Sequence, residues 1–352
     1  MSMTRRASAI LFCVAAVFLA STSGHGKDED SRTGSVWVVN RDRGELVVFD
    51  AKTGTVLTDS AVRVGAGAHD ICISEKAGKA YITAETIHAV TTVDTRTLET
   101  DSIPVSPLPH HIEPSHDGRT IYVSLASHPT TPNSNIPPQV AAIDIDDNSV
   151  TYTTTSTNPL ARSHGPHPSF DGRIVYVAHD TGDELSGIDA ETGNIDVSVA
   201  PILRAEEAVA TRSGNELWVS SRGDGTVKRI DLRTNTITDS VAVGVQPESV
   251  LLTPNERTLV VSLRGSPATL AFVDTVDRAL IGTVLIAGAG TFGDLAVMTN
   301  DGQYVYATFD AGTTGQGGVA VVRVKTREVV DTWAYPGTGR PHGLWYSRHK
   351  LR

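Results

Sequence analysis

Cysteine is almost missing from this chain: among 352 residues only Cys13 and Cys72 occur. A disulfide framework and a cysteine-based zinc site are therefore excluded. Aromatic residues make up only 5%, and 40 acidic residues against 30 basic ones give a formal net charge of −10. A surface of that sign does not neutralise phosphates, and few rings are available to stack on bases, so no nucleic-acid partner is expected. Gly-rich phosphate loops, HExxH helices, GxSxG elbows, EF-hand loops and CxxCH haem sites are all absent. No segment carries a long 3.6-residue apolar period, so helices should be scarce. The longest apolar run, residues 7–20, is short for a membrane span. It follows Arg5 and Arg6 and precedes small residues, and it reads as an export signal over 1–24, with a polar leader over 25–34. The expected location is secreted or periplasmic, with no stable membrane insertion once the signal is removed.

What the chain does have is a repeat. SVWVVN…LVVFDAKTG, KAYITAE…VTTVDTRT, TIYVSLA…VAAIDIDD, IVYVAHD…LSGIDAETG, ELWVSSR…VKRIDLRTN, TLVVSLR…LAFVDTVD and YVYATFD…VAVVRVKT are seven copies of one phrase. Each joins short β-branched runs through Asp-, Asn- or Gly-containing turns, which is strand and turn chemistry. The spacing of about 41–54 residues leaves room for four strands, the size of a propeller blade. The first copy has no preceding innermost strand, and the stretch 340–350 reads as an innermost strand with nothing after it. Pairing the two would close the ring and leave no open sheet edge. The expected fold is an all-β, seven-bladed β-propeller with four antiparallel strands per blade, spanning 35–352.

These repeats resemble the YVTN family of β-propellers, also described as surface-layer-type or YncE-like repeats, over nearly all of residues 35–350. The resemblance implies an exported seven-bladed propeller and no single activity, because this fold hosts many.

Aligning the copies on the turn after the innermost strand gives a column of hydroxyls: Ser74, Ser115, Ser169, Thr211, Thr253, Thr299 and Ser347. It suits hydrogen bonding to turn backbone. Five residues earlier, at the head of the same strand, the column reads His69, His110, His164, Glu206, Glu248, Asp294 and His342. Every copy places a histidine or an acid there. In a propeller these residues converge on the central axis. Clustered carboxylates repel and clustered imidazoles resist protonation, and a divalent ion relieves both. The expected ligands are His69, His110, His164 and His342, with Glu206, Glu248 and Asp294 as catalytic or orienting acids. Nitrogen-rich donors favour copper or iron, with zinc also suitable. Further candidates at the rim are His111, His167, His179, Arg222 and Arg264. A Pro-rich insertion, 127–138, containing His128, is a candidate lid over the channel mouth.

Two local likenesses bear on the cluster. His110-His111-Ile112-Glu113 and His164-Gly165-Pro166-His167 are similar to a His-rich segment of the nitrous oxide reductase propeller. That enzyme's cupredoxin domain has no counterpart here, so its activity is not inferred. Carotenoid-cleaving oxygenases, propellers with iron on the axis, offer an architectural analogy only. The sequence thus supports a metal-dependent oxidoreductase or lyase acting on a small molecule or an electron-transfer partner. A metal-free, lactonase-like hydrolase or lyase, or a noncatalytic binding scaffold, also fits. So does a wet channel in which the acids merely pair with Arg222 and Arg264.

Overall fold

Extended runs of Val, Ile and Thr alternating with small residues fold into 28 strands in the computed structural model, which describes residues 32–126 and 137–351. The expected export signal (1–24), most of the leader, and His128 with the insertion up to residue 136 lie outside the described residues. The strands form seven antiparallel sheets of four, six of them in chain order from the axis outward. One sheet, for example, runs Ala68–Ser74, Lys79–Ala84, Ala89–Asp94 and Thr100–Pro104. The single helical element among the described residues is a 3-10 turn, Glu85–Ile87.

The closing blade is built from both ends of the described chain. Pro341–Ser347 is its innermost strand and pairs antiparallel with Ser35–Asn40, Val38 lying opposite Leu344. Glu45–Asp50 and the two-residue Val62–Arg63 complete it. The seam therefore buries an edge that would otherwise be open.

Two repeated positions explain why the blades stack. Six of the seven repeats carry an aromatic residue mid-way along the second strand, where Trp37, Tyr81, Tyr122, Tyr176, Trp218 and Tyr306 are all buried, and the seventh has buried Val260 there. Burying side chains of this size contributes roughly 2–3 kcal/mol each. The Asp ending the third strand caps its own turn: Asp50, Asp94, Asp144, Asp189, Asp231 and Asp274 each accept a hydrogen bond from the N–H two residues on. Four residues after each such position the backbone is left-handed, from Gly54 to Arg327. The hydroxyl column is buried and ties the next hairpin together. Ser115 and Ser169, for instance, each accept a backbone N–H five residues later.

Every innermost strand is broken by a bulge. Ala68 pairs with Ala84 and Ile71 with Ile82, so His69 and Asp70 together oppose Thr83 alone. The same shift recurs between Pro109 and Ile112, Ser163 and Pro166, Ala205 and Ala208, Pro247 and Val250, and Gly293 and Ala296. A bulge frees two successive residues from strict alternation and re-aims them. The backbone it leaves unpaired is caught by a hydroxyl 13 residues on. Asp70 N–H donates to Thr83 Oγ1, His111 N–H to Ser124 Oγ, Glu207 N–H to Ser220 Oγ, and Ser249 N–H to Ser262 Oγ, each at 3.0 Å.

Candidate functional site

The seven aligned residues meet around the axis at the head end, where the innermost strands begin. All are buried, none more than 7% exposed. The ring of contacts closes on itself. His69 packs between His342 and His110, with ring centroids 4.0 and 3.9 Å away. His110 lies 4.9 Å from His164, whose Nε2 is 2.7 Å from Glu206 Oε2. Arg222 bridges Glu206 and Glu248 at 2.9 and 3.4 Å, and Arg264 bridges Glu248 and Asp294 at 3.3 and 3.9 Å. Asp294 Oδ2 returns to His342 Nε2 at 3.2 Å.

The bulges add a second layer just beneath. His111 stands against His69, His110 and His164, at 4.9, 4.6 and 4.3 Å between centroids. Its Nδ1 lies 3.1 Å from Asp70 Oδ2 and 3.2 Å from Glu207 Oε1, and its buried Nε2 has no hydrogen-bond partner. Glu207 also reaches His167 Nε2 at 2.8 Å, while His167 Nδ1 faces Glu113 at 2.9 Å. His179 lies apart, on its second strand, with Nε2 2.9 Å from Ser186 Oγ.

Charge divides the cluster into two arcs. Burial, reinforced by neighbouring cationic or imidazole groups, pushes His69, His110 and His342 well below the usual histidine range, so these rings are neutral. His110 donates from Nδ1 to Glu85 Oε1 at 2.6 Å, and Arg41 holds that carboxylate at 2.7 Å, so the lone pair of His110 is on Nε2. On the other arc burial opposes charge but loses. The Glu206 carboxylate and its neighbours hold His164 well above the usual range, and His164 with Arg222 brings Glu206 down to about 2. Likewise Glu207 and Glu113 lift His167 to about 10 against burial, and His111 and His167 hold Glu207 well below the carboxylate range. Burial raises Asp294 to about 7.

The sequence treats the four column histidines alike, and the structure separates them. His164 turns Nδ1 to the Glu206 carbonyl at 2.9 Å and Nε2 to the Glu206 carboxylate at 2.7 Å, so both of its nitrogens already face oxygen partners. Among the described residues, His69 Nδ1, His111 Nε2 and His342 Nδ1 are buried without hydrogen-bond partners, and His342 Nε2 faces only the Asp294 carboxylate at 3.2 Å. His69, His110 and His111 each offer one nitrogen such that all three lie within 4.8 Å of one another. Two further groups, His111 with His164 and Glu207, and His164 with Glu206 and Glu248, have the same spacing. Asp70, Glu85 and Glu207 are absent from the sequence reading, and Glu113 enters it only as part of the segment His110-His111-Ile112-Glu113. The bulge brings in Asp70 and Glu207, and the only trace of it in the sequence is the Ser or Thr 13 residues later.

The cluster is reached from the far side. A cavity of about 440 Å³ runs along the axis from Asp70, His111 and Glu207 to exposed His116 and Asn300 at the tail end, where the innermost strands finish. The head end is crossed by Arg41, Arg162, Arg222 and Arg264, each paired with a carboxylate.

No family model matches the chain, and no curated protein matches its sequence. Solved structures do resemble it. A functionally unknown protein from Desulfotomaculum acetoxidans is 11% identical with a TM-score of 0.70, covering 90% of this chain and all of its own. A putative 6-phosphogluconolactonase from Bacteroides fragilis is 14% identical with a TM-score of 0.67, over 90% and 98%. A periplasmic gluconolactonase from Pseudomonas aeruginosa is 16% identical, also at 0.67, over 89% and 98%. At such identities the likeness is one of fold: the chain is a seven-bladed β-propeller, with lactonases among the proteins that share its architecture and a buried His/Glu cluster of its own.

Proposed function

We propose that the axial cluster is the catalytic centre of an exported small-molecule hydrolase of the lactonase kind, with a divalent transition ion held by His69, His110 and His111. One observation carries the metal: imidazoles packed at 3.9–4.9 Å keep buried nitrogens, His69 Nδ1 and His111 Nε2, with no partner among the described residues. Leaving such atoms unpaired is costly, and a bound cation removes that cost. The hydrolytic chemistry is supported by the two lactonases of the same fold, and export by the signal-like segment 1–24. An ion in this position would polarise a substrate carbonyl and acidify water. Asp70 and Glu85 orient His111 and His110 by accepting their Nδ1 protons. Glu207, held ionised, fixes His111 and His167 and takes the proton that the attacking water releases, which passes across their 2.8 Å contact to His167 once His167 has given up its own. His167, held protonated, donates to the alkoxide oxygen as the acyl C–O bond breaks. Glu206, Glu248 and Asp294 do not line the cavity; they balance Arg222, Arg264 and His164.

A second reading, metal-dependent redox chemistry on copper or iron, draws on the same nitrogen-rich donors. Elemental analysis of exported protein, repeated on His69→Ala/His110→Ala, decides the metal: one equivalent is expected in the wild type and less than a tenth in the variant. Less than one equivalent in both defeats the metal centre. Lactone hydrolysis that survives a strong chelator but is lost in Glu207→Gln would establish the metal-free form. Absence of hydrolysis with the metal bound would favour redox chemistry.

A further inference from the structure

The axial cavity selects its contents by composition. Among the described residues no Lys or Arg lines it, whereas three carboxylates, Asp70, Glu113 and Glu207, stand along its inner part. Below them the wall is largely apolar, through Val250, Ala296 and Leu344 to Leu252, Met298 and Trp345 near the tail end. Its volume of about 440 Å³ falls in the range of ordinary small-molecule sites. The opposite end offers no comparable entry among the described residues, because the ring side chains are buried and four paired arginines cross it.

We infer that the substrate is an uncharged molecule with an apolar body, which enters at the tail end and presents one polar group to the cluster. This deepens the reading of the axial cluster as a catalytic centre and rests on it. The physical reason is desolvation. A phosphate or carboxylate brought into this shaft loses its water and must pass three carboxylates before it reaches any ion the cluster holds, and the one cationic side chain beside them, His167, is already paired with Glu113 and Glu207. An alkyl chain or ring instead exchanges water for an apolar wall. The pocket therefore rejects phosphorylated sugar lactones, although a propeller of the same fold is described as a putative 6-phosphogluconolactonase.

The test uses the intact protein and the neutral fluorescent probe N-phenyl-1-naphthylamine. Saturable binding is expected, with displacement by a neutral alkyl lactone and none by 6-phosphogluconate at the same concentration. Leu252→Arg and Met298→Arg should each weaken probe binding at least tenfold while metal content and circular dichroism stay as in the wild type. If either variant loses its fold, Leu252→Gln and Met298→Gln carry the comparison. Displacement by 6-phosphogluconate as strong as by the alkyl lactone, or unchanged probe affinity in folded mouth variants, overturns the inference. The assay reads no turnover, so a failure of the catalytic reading would show separately, as absent hydrolysis with binding intact.

Discussion

Single residues show how the ring tolerates so much buried charge. Glu206 and Glu248 have no exposed area, and Arg222 contacts both. Removing it leaves two carboxylates in a dry site, so Arg222→Ala should cost on the order of 3–5 kcal/mol, read from the urea midpoint. His179 sets a second test. Burial pushes its pKa down to about 4, and Ser186 is its side-chain partner. As pH falls, the unfolded chain takes up this proton near 6.5 and the folded one only near 4. The contribution is thus complete above about pH 6.5, declines between 6.5 and 4, and is gone below 4, about 3 kcal/mol in all. His179→Gln should lose that part of the acid slope when unfolding is compared at pH 7.5 and 4.5. The column histidines were legible because each stands at the same offset from its turn. Their different charge states were not, because those depend on neighbours brought from other strands.

At the scale of the element, the bulged innermost strand makes the site. A regular strand would turn His69 and Asp70 to opposite faces; the bulge sets one above the other. Thr83 holds this shape, accepting from Asp70 N–H at 3.0 Å and donating to the His110 carbonyl of the next blade at 2.6 Å. Thr83→Val keeps the volume and loses both bonds. It should cost about 1–3 kcal/mol in thermal or urea unfolding and lower metal affinity, measured by competition with a chelating dye. Thr308 plays the matching part beside His342, whose carbonyl is 2.7 Å from its Oγ1. Alternation of apolar and polar residues predicts the strands well but misses the second-layer acids Asp70 and Glu207, because a bulge breaks the very period such a reading uses.

For the whole molecule, closure and access are the properties that matter. A chain ending at Arg340 would lack Pro341–Ser347 and with it His342, and would expose the edge of Ser35–Asn40. Such a truncation should melt without cooperativity and associate through that edge, as seen by light scattering and size exclusion. The closing seam could be read from the incomplete repeats at either end. Entry from the tail could not, since it follows from the closure of the head end by arginine–carboxylate pairs.

The sequence by itself determined the seven blades, their seam and the ring of ionisable residues, because all three are periodic and every repeat restates the same local rule. Tertiary structure alone decided which imidazoles keep a lone pair, which acids are neutralised, and from which side the cluster is reached. Those properties depend on distances between groups far apart in the chain, such as Glu85 to His110 and Asp70 to His111. Coulombic and desolvation energies follow separation and burial, and neither quantity is written in the order of residues.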